Sequence, residues 1–369
     1  MRILYVYHMI TAFGGIERVL VDKMNGLAQA GCDVCLLTAD QGSHAMPFRL
    51  DERVRYEDMH VMTFIQYRYK GLRRLWEYFR RHKLLYKRLA EKLNDIHPDV
   101  IVSTTNGYIS ELAQLKGSAP LVIESHSGYD HVMERSLFSW YNYIQMRLLY
   151  RKLRKADVIV TLTENDAKKW RRHYPCVRTM PNVVHLNASG QYSTCEQKHV
   201  IFIGRNCKQK AIPDLLKIWQ MVHEVHPDWQ LDMYVEREKS RLVEEAESLH
   251  ANIHVYSPVS DIMGRYLQSS VFVQTSLYEP FGLAMAEAMS CGLPVVAFEG
   301  DGPCSILTDG VDGYIVADRS REEFARRVCL LIGDRELRLR MGRRAVESVQ
   351  RFSSDAIMPQ WQALFESIV

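Results

Sequence analysis

Two glutamates, Glu279 and Glu287, bracket a short apolar stretch in YEPFGLAMAEAMSCGLPVV, residues 278–296. The preceding run VFVQTS has strand character, and AMAEAMSCG has helix-forming composition with a glycine stop. The loop between them therefore ends at a helix N-terminus, where exposed backbone amides favour an anion. These amides belong to Phe281, Gly282 and Leu283. One carboxylate in the loop and one on the helix can hold two hydroxyl-bearing parts of one ligand. The alternative is a helix N-terminus that merely favours acidic residues.

Three further groups could do chemistry. Arg205 and Lys210 are two fixed cations after a strand-like run in IGRNCKQKA, although a surface Lys/Arg cluster would look the same. Gly14 and Gly15 follow the first apolar run in TAFGGIERV and precede a helix, where a plain tight turn is the alternative. His126 follows a strand end in VIESHSGYD, and a lone histidine is more often structural than catalytic.

The segment Arg68–Arg88 concentrates positive charge. It holds nine Lys/Arg residues and one Glu, a net charge of about +8, whereas the whole chain is only +3. Apolar and aromatic residues recur in and just after it at helical spacing: Leu72, Leu75, Trp76, Phe79, Tyr86 and Leu89. Such a basic amphipathic helix is typical of a membrane-surface binder. The alternative is a helix that faces the core and has a solvated basic face.

The elements that must position these residues form two βα series. ILYVYHMI, DVCLLTA, DVIVSTT, PLVIES and ADVIVTLT are apolar runs of strand length, separated by helical or loop segments. The pattern restarts after a polar stretch with HVIFIG, WQLDMYV, NIHVYSP, VFVQTS and LPVVAF. Apolar strands alternating with helices predict parallel sheets covered on both faces, and ligands of such sheets bind beyond the carboxyl ends of the strands. The expected organisation is an N-terminal domain 1–185, a linker 186–198, a second domain 199–352, and a C-terminal helix 353–369 that packs back on the first domain.

Composition narrows the class of protein. A chain of 369 residues with 47% apolar and 25% charged residues is expected to form two globular domains. The small net charge does not call for a nucleic-acid partner. The first residues, MRILYVYHMI, lack a signal cleavage site, and no apolar run is long enough to span a bilayer, so a cytoplasmic location is expected.

Metal and redox sites are not expected. Cys32 and Cys35 form a C-x-x-C, but they fall in a strand-like run, where residues three apart point to opposite faces. No D-x-D motif stands at a strand end to bind Mg²⁺ or Mn²⁺ beside a diphosphate. We therefore expect no cofactor and no metal.

The stretch around the two glutamates resembles the signature E-x-F-G-x-x-x-x-E-A-M-A-x-G-x-P-V-V of family 4 retaining glycosyltransferases, which have the GT-B fold. The order of the other motifs extends this resemblance over nearly the whole chain. It implies two Rossmann-like doubly wound α/β domains that face each other across a cleft, with the acceptor on the N-terminal domain and the nucleotide sugar on the second. The chain departs from the family pattern at Val183 and Ala211, where glycine is usual, and at Cys304.

The resemblance also implies a role for each candidate residue. Glu279 lies by the transferred sugar and Glu287 holds the ribose hydroxyls. Arg205 and Lys210 neutralise the donor diphosphate, which gains negative charge as the glycosidic bond breaks. The resemblance further implies that the loop at Gly14 and Gly15 contacts the donor phosphates and sugar. It implies that His126 contacts the reacting sugar or the acceptor, and that Val259 contacts the base.

The resulting hypothesis is a retaining, metal-independent transferase. It would move a hexose or N-acetylhexosamine from a nucleotide sugar to a glycan or lipid-linked oligosaccharide in polysaccharide biosynthesis. UDP is the first expected nucleotide and GDP the second. The expected location is the inner face of the cytoplasmic membrane. The alternatives are an epimerase or phosphorylase of the same fold, or a non-catalytic homologue. A phosphorylase would need a pyridoxal-phosphate lysine, and a non-catalytic chain should have lost some of the four charged residues at 205, 210, 279 and 287.

Overall fold

The computed structural model describes residues 1–11, 14–134, 140–235 and 240–369. The chain divides into two compact units. Unit 1 contains Met1–Val183 and Ser354–Val369, and unit 2 contains Val184–Ser353. The chain thus crosses from one unit to the other twice, and its last helix belongs to unit 1.

Unit 1 is built on a parallel sheet in the order β3-β2-β1-β4-β5-β6-β7. Its strands are β1 Arg2–Tyr7, β2 Asp33–Thr38, β3 Arg55–Asp58, β4 Val100–Thr104, β5 Leu121–Ser125, β6 Val158–Thr161 and β7 Val177–Thr179. Its helices are α1 Gly15–Gln29, α2 Gly71–Ile96, α3 Ile109–Leu115, α4 Tyr129–Glu134, α5 Trp140–Leu153, α6 Glu164–Arg171 and α14 Ser354–Glu366, with a 3₁₀ helix at Thr63–Arg68. The two edge strands β3 and β7 are short and partly polar, which is why the apolar pattern does not reveal them.

The sheet of unit 1 is covered on both faces. Because side chains alternate along a strand, Ile3 and Tyr5 of β1 pack in the core under α1 and α14, whereas Leu4 and Val6 pack in the core under α2 and α3. Helix α14 lies close to α1 at Gly26, where an added Cβ would stand 2.6 Å from the sulfur of Met358. A glycine at this position therefore permits the close helix contact.

Helix α2 changes character along its length. Its second half buries Leu85, Leu89, Leu93 and Ile96 in the core of unit 1. Its first half leaves Leu72, Leu75, Trp76 and Phe79 exposed, with exposed fractions of 86%, 51%, 61% and 62%. The second half of this basic helix therefore faces the core, and the first half presents an apolar face to solvent.

Unit 2 is built on a second parallel sheet in the order β10-β9-β8-β11-β12-β13. Its strands are β8 His199–Ile203, β9 Gln230–Tyr234, β10 Ile253–Tyr256, β11 Val271–Gln274, β12 Val295–Phe298 and β13 Gly313–Val316. Its helices are α7 Ile212–Val225, α8 Ser240–Ser248, α9 Ile262–Leu267, α10 Leu283–Ser290, α11 Asp301–Ile306, α12 Arg321–Gly333 and α13 Arg335–Val349. Three 3₁₀ helices cover Lys208–Lys210, Ala317–Arg319 and Gln350–Phe352.

The polar segment 186–198 lies within unit 2 and is hydrogen-bonded to its helices. The amide of Asn187 donates to Ser290 Oγ at 3.0 Å, and the amide of Ser193 donates to the carbonyl of Cys291 at 2.9 Å. The guanidinium of Arg335 donates to the carbonyl of Thr194 at 2.9 Å. The start of α13 and the end of α10 thus hold this segment.

No helix in the described ranges is both long and apolar enough to cross a bilayer. The same ranges contain no cluster of three or more His, Cys, Asp or Glu side chains that could hold a metal ion. Cys35 lies buried in β2, and burial raises the pKa of its thiol to about 11. Cys32 and Cys35 are both free thiols.

Candidate active site

The loop between β11 and α10 carries the first of the two glutamates. Gly282 ends this loop at the N-cap of α10 with a φ of +111°, a conformation that L-residues with side chains rarely adopt. An added Cβ would also stand 2.9 Å from the terminal methyl of Met285. Phe281 is buried, with its ring 5.2 Å from that of Phe352. The first amides of α10, beginning at Leu283, have no intrahelical acceptors and suit an anionic ligand.

Glu279 accepts three hydrogen bonds on a single carboxylate oxygen. Lys210 Nζ lies 2.7 Å from Glu279 Oε2, and Gln274 Nε2 and Ser276 Oγ donate to the same oxygen at 2.5 and 3.2 Å. The side chains of Lys210 and Glu279 are 14% and 12% exposed. The structure therefore brings together one cation and one carboxylate, at 210 and 279, that the sequence places 69 positions apart.

Backbone contacts keep the Lys210 loop beside the Glu279 loop. The side-chain amide of Gln209 donates to the carbonyl of Tyr278 at 3.0 Å, and the amide of Leu277 donates to the carbonyl of Gln209 at 2.7 Å. The hydroxyl of Thr275 donates to the carbonyl of Lys210 at 3.0 Å. The juxtaposition of ammonium and carboxylate thus does not depend on their ion pair alone.

Two small residues flank Lys210. An added Cβ at Gly204 would lie 3.2 Å from the Cγ and Cδ carbons of Lys210, so this glycine lets the lysine stem pass over the backbone. Ala211 has a φ of +48°, in the left-handed region, where a residue with a Cβ is strained by about 1–2 kcal/mol. This is the position where the family pattern has glycine, and the structure shows why: the chain keeps the left-handed turn despite the alanine.

Arg319 is hydrogen-bonded to the backbone of the loop that carries Glu279. Its guanidinium donates to the carbonyls of Ser276 at 2.8 Å and Thr275 at 3.1 Å, and it pairs with Asp214 at 3.0 Å. Burial would raise the pKa of Asp214, but hydrogen bonds from Arg319 and Arg321 outweigh it and lower that pKa. Nothing in the sequence near Arg319 indicated this function, because its partners lie about one hundred or more than forty positions earlier.

Gly302 brings α11 against the same loop. Its amide donates to the carbonyl of Glu279 at 2.9 Å. An added Cβ would stand 2.2 Å from the carbonyl oxygen of Phe281 and 2.5 Å from that of Glu279. Any larger residue at Gly302 would therefore displace the loop that carries Glu279.

Glu287 lies deeper in unit 2 than Glu279. It is 7% exposed, and the hydroxyl of fully buried Tyr266 donates to Glu287 Oε2 at 3.4 Å. Tyr266 is on α9, so α9 and α10 together position this carboxylate. The sequence motif indicated Glu287 but not its tyrosine partner.

The remaining candidates of unit 2 are exposed. Arg205 is exposed after β8, and its side chain forms no hydrogen bond or ion pair with another described residue. Val259 is 37% exposed in the loop after β10. The structure leaves both side chains available to a ligand and does not place either against Lys210 or Glu279.

In unit 1, the paired glycines begin α1. Gly14 is its N-cap and Gly15 its first residue. Gly14 has an ordinary extended backbone, with a φ of −94°, and an added Cβ would meet only the flexible end of Glu17, 2.2 Å away. The backbone conformation of Gly14 therefore does not require a glycine. Residues 12 and 13 of the predicted TAFGG loop lie outside the described residues.

His126 follows β5 in unit 1 and is held by a buried carboxylate. Its Nε2 lies 3.0 Å from Glu124 Oε2, and the other oxygen of Glu124 accepts a hydrogen bond from Lys23. Glu124 and Lys23 were not among the predicted residues. A signal for each exists in the sequence: Lys23 interrupts the apolar face of α1, and Glu124 interrupts the apolar run LVIES.

Comparisons with known proteins identify the family. Residues 192–348 match the profile of Glycosyl transferases group 1, and residues 13–188 match that of Glycosyltransferase Family 4. The chain is 24% identical to an uncharacterized glycosyltransferase of Haemophilus influenzae over 96% of this chain and 97% of the relative.

Solved structures share the fold. The crystal structure of TarM superposes with a TM-score of 0.80 at 15% identity, covering 99% of this chain and 98% of TarM. HepE of Anabaena, solved in complex with UDP and glucose, superposes with a TM-score of 0.73 at 17% identity over 100% of both chains. The predicted fold class and family are confirmed: the chain belongs to glycosyltransferase family 4, has the GT-B fold, and is a glycosyltransferase that transfers sugars from nucleotide sugars in glycan biosynthesis.

Proposed function

We propose that the chain is a retaining transferase that moves a hexose or N-acetylhexosamine from a UDP-sugar to a glycan or lipid-linked oligosaccharide without a metal ion. The observation that carries this proposal is the Lys210–Glu279 pair, held at 2.7 Å beside the N-terminus of α10. Cation, carboxylate and free helix amides meet at one place, which suits a ligand that contains both a diphosphate and sugar hydroxyls.

Lys210 and Arg205 are proposed to neutralise the donor diphosphate. Lys210 would exchange Glu279 for a phosphate oxygen. The backbone amides of Phe281, Gly282 and Leu283 would donate hydrogen bonds to the other phosphate oxygens. Because the leaving UDP gains negative charge as the glycosidic bond breaks, these groups would stabilise the transition state more than the ground state. Two cations and a helix N-terminus would then supply the positive charge that a divalent ion would otherwise supply.

Glu279 and Glu287 are proposed to hold different parts of the donor. Released by Lys210, Glu279 would face the transferred sugar, and buried Glu287 would accept hydrogen bonds from the ribose hydroxyls, with Val259 beside the base. Gly14 and Gly15 are proposed to contact the donor phosphates and sugar, and His126 to contact the reacting sugar or the acceptor. Same-face attack, in which the leaving phosphate oxygen takes the acceptor proton, would retain the anomeric configuration. Glu279 is not proposed as a nucleophile.

A donor screen tests this proposal. The purified protein is incubated with UDP- and GDP-sugars in EDTA, and thermal shift and slow donor hydrolysis are followed. We expect a shift and hydrolysis with one UDP-sugar, both lost in Glu287→Gln and Lys210→Met but retained in Lys217→Met, an exposed lysine of the same unit. No response to any donor, or hydrolysis only with added Mg²⁺, would contradict the proposal.

The acceptor side of the proposal rests on the exposed face of α2. Leu72, Leu75, Trp76 and Phe79 are spaced i, i+3, i+4, i+7 and therefore share one face of the helix. Full burial of each such side chain is worth about 1.5–3 kcal/mol, so their exposure leaves a large gain for a partner. The same helix carries exposed basic residues: Arg73, Arg74, Arg80, Lys83 and Lys87.

We propose that this face docks on an anionic lipid bilayer, where lipid-linked acceptors reside. Aromatic and aliphatic side chains would enter the headgroup region, and each neighbouring Lys or Arg would gain about 1 kcal/mol from the anionic surface. The combination of apolar face and excess positive charge favours a membrane over a second copy of the chain, since two such faces would repel each other. The protein would then act at the inner face of the cytoplasmic membrane.

Vesicle sedimentation tests the docking surface. We expect binding to vesicles that contain phosphatidylglycerol, none to pure phosphatidylcholine, and weakening by salt. Trp76→Ser with Phe79→Ser should abolish binding, whereas Val225→Ser, which removes another apolar residue that is 63% exposed, should not. Equal binding of all variants, or concentration-dependent dimerisation through α2 without vesicle binding, would contradict the proposal.

A further inference from the structure

Three side chains of unit 1 form a continuous hydrogen-bonded chain that ends at His126. Lys23 of α1 donates to Glu124 Oε1, and Glu124 Oε2 lies 3.0 Å from His126 Nε2. The side chains of Lys23, Glu124 and His126 are 2%, 3% and 5% exposed. Each member therefore depends on the next for its polar partner.

The contacts of the buried carboxylate with Lys23 and His126 favour its ionised form. Burial alone would raise the pKa of Glu124, but the charge of Lys23 and the hydrogen bond with His126 outweigh burial and lower it. A carboxylate only accepts hydrogen bonds. The hydrogen between the two side chains must therefore be carried by Nε2 of His126.

This assignment fixes what the other ring nitrogen can do. A neutral imidazole that carries its hydrogen on Nε2 has an acceptor at Nδ1. Nδ1 of His126 makes no hydrogen bond with another described residue. It is therefore poised to accept a hydrogen bond from a hydroxyl, the group that sugars supply in abundance.

The last helix of the chain closes the network. Lys23 Nζ lies 4.1 Å from the ring centre of Trp361 on α14 and 5.4 Å from that of Tyr5 on β1. These aromatic faces stabilise the ammonium and exclude water from it. With water excluded, Glu124 is the carboxylate that balances the charge of Lys23.

We propose that Lys23 and Glu124 are positioning residues that hold His126 in one orientation and one tautomer, with Nδ1 presented to a hydroxyl of the sugar or the acceptor. Lys23 anchors the carboxylate, the carboxylate anchors the ring, and Trp361 covers the lysine. This inference rests on the proposed function for the identity of the hydroxyl, but not for the orientation of the ring.

The tautomer of His126 is the direct test. Protein labelled with ¹⁵N-histidine is studied by long-range proton–nitrogen NMR at neutral to mildly alkaline pH, and the His126 signal is assigned from the spectrum of His126→Gln. We expect the Nε2–H tautomer alone in the wild type. In Lys23→Met/Glu124→Gln, which replaces the ion pair by neutral groups of similar size, we expect a mixture, because an amide can both donate and accept. An Nδ1–H tautomer in the wild type, or an unchanged single tautomer in the double variant, would overturn the proposal.

Kinetics give the second test. Carboxylates that orient metal-ligating histidines are worth about 10- to 100-fold in affinity or activity. By the same logic the double variant should lose about 10- to 100-fold in kcat, with little change in UDP affinity. When His126→Gln is already present, the double variant should add less than about twofold, because positioning residues act through the histidine. Losses that multiply would overturn the proposal. Lys198→Met/Asp228→Asn, an exposed pair in unit 2, serves as the matched control.

The two tests separate the inference from the function beneath it. A chain that turns over no donor would contradict the proposed function, yet the tautomer measurement would still decide the role of Lys23 and Glu124. If the chain transfers sugar normally but the His126 tautomer is the same in the wild type and in Lys23→Met/Glu124→Gln, only the inference is overturned.

Discussion

The molecule contains two Lys–Glu pairs of the same chemistry in different surroundings. In unit 2, Lys210 and Glu279 are 14% and 12% exposed, and Glu279 has further donors in Gln274 and Ser276. In unit 1, Lys23 and Glu124 are 2% and 3% exposed, and Lys23 is enclosed by aromatic rings.

The exposure of each pair determines whether it can exchange partners. A pair that water reaches, and whose carboxylate has other donors, can be opened by a ligand at small cost. A buried pair cannot exchange partners, because either charge left alone would be strongly destabilised. Exposure, and not residue type, therefore distinguishes the pair that is proposed to bind a ligand from the pair that is proposed to position His126.

Breaking the buried pair should produce the largest effect. Lys23→Met or Glu124→Gln alone leaves an uncompensated group in the core of unit 1 and should cost about 3–5 kcal/mol of unfolding free energy. The double variant should recover most of this loss. Urea unfolding of the three variants measures it, and single variants that lose less than about 1 kcal/mol would contradict the assigned burial.

Breaking the Lys210–Glu279 pair, the more accessible of the two, should instead impair activity. Lys210→Met should lower kcat/KM about 10²- to 10³-fold, because it removes the cation that is proposed to stabilise the leaving diphosphate. The unfolding free energy should change by less than about 1 kcal/mol, since the pair is partly solvated and Glu279 keeps two other donors. Steady-state kinetics and urea unfolding of one preparation give both numbers. A large stability loss with normal kinetics would reverse the roles of the two pairs.

The pH dependence of stability should distinguish the buried pair further. The pKa of Glu124 is lowered in the folded protein, so its contribution is fully present above the unfolded pKa of about 4.3 and is lost as pH falls through the folded value. The unfolding free energy of the wild type should therefore fall, relative to that of Lys23→Met/Glu124→Gln, as pH decreases below about 4.3. Denaturant titrations at a series of acidic pH values measure this gap, and a gap independent of pH would contradict the ionised pair.

The smallest effect concerns the loop of the accessible pair. Ala211→Gly relieves a left-handed backbone with a φ of +48° next to Lys210. After subtraction of the extra freedom of glycine in the unfolded chain, a net stabilisation of about 1 kcal/mol is expected. Thermal unfolding checks the sign. A destabilised variant would show that the strain is absent.

Much of the fold could be predicted from the sequence, because buried parallel strands are continuous apolar runs. The edge strands β3 and β7 were not predicted, because RYED and VRT are short and partly polar and only pairing with the neighbouring strand specifies them. The division of α2 into a core-facing half and an exposed half was not predicted either, because apolar residues have the same helical spacing in both halves. Only the position of the core distinguishes Leu75 from Leu89.

The candidate site was predictable where it follows a local motif. Glu279, Gly282 and Glu287 stand in one short stretch, so the motif indicated all three. The partners that hold them, Arg319 and Tyr266, come from distant positions through the topology of the sheet, and no local pattern marks them. Their function follows only from the three-dimensional arrangement.

Calorimetric titration of UDP in EDTA tests whether the Lys210–Glu279 pair, and not the Lys23–Glu124 pair, serves the donor. We predict that UDP binds the wild type and Lys23→Met/Glu124→Gln with equal affinity, whereas Lys210→Met and Glu287→Gln bind it at least about tenfold more weakly, the loss of one charge-assisted hydrogen bond. Equal affinity in all four proteins, or a loss confined to the Lys23/Glu124 variant, would contradict the account.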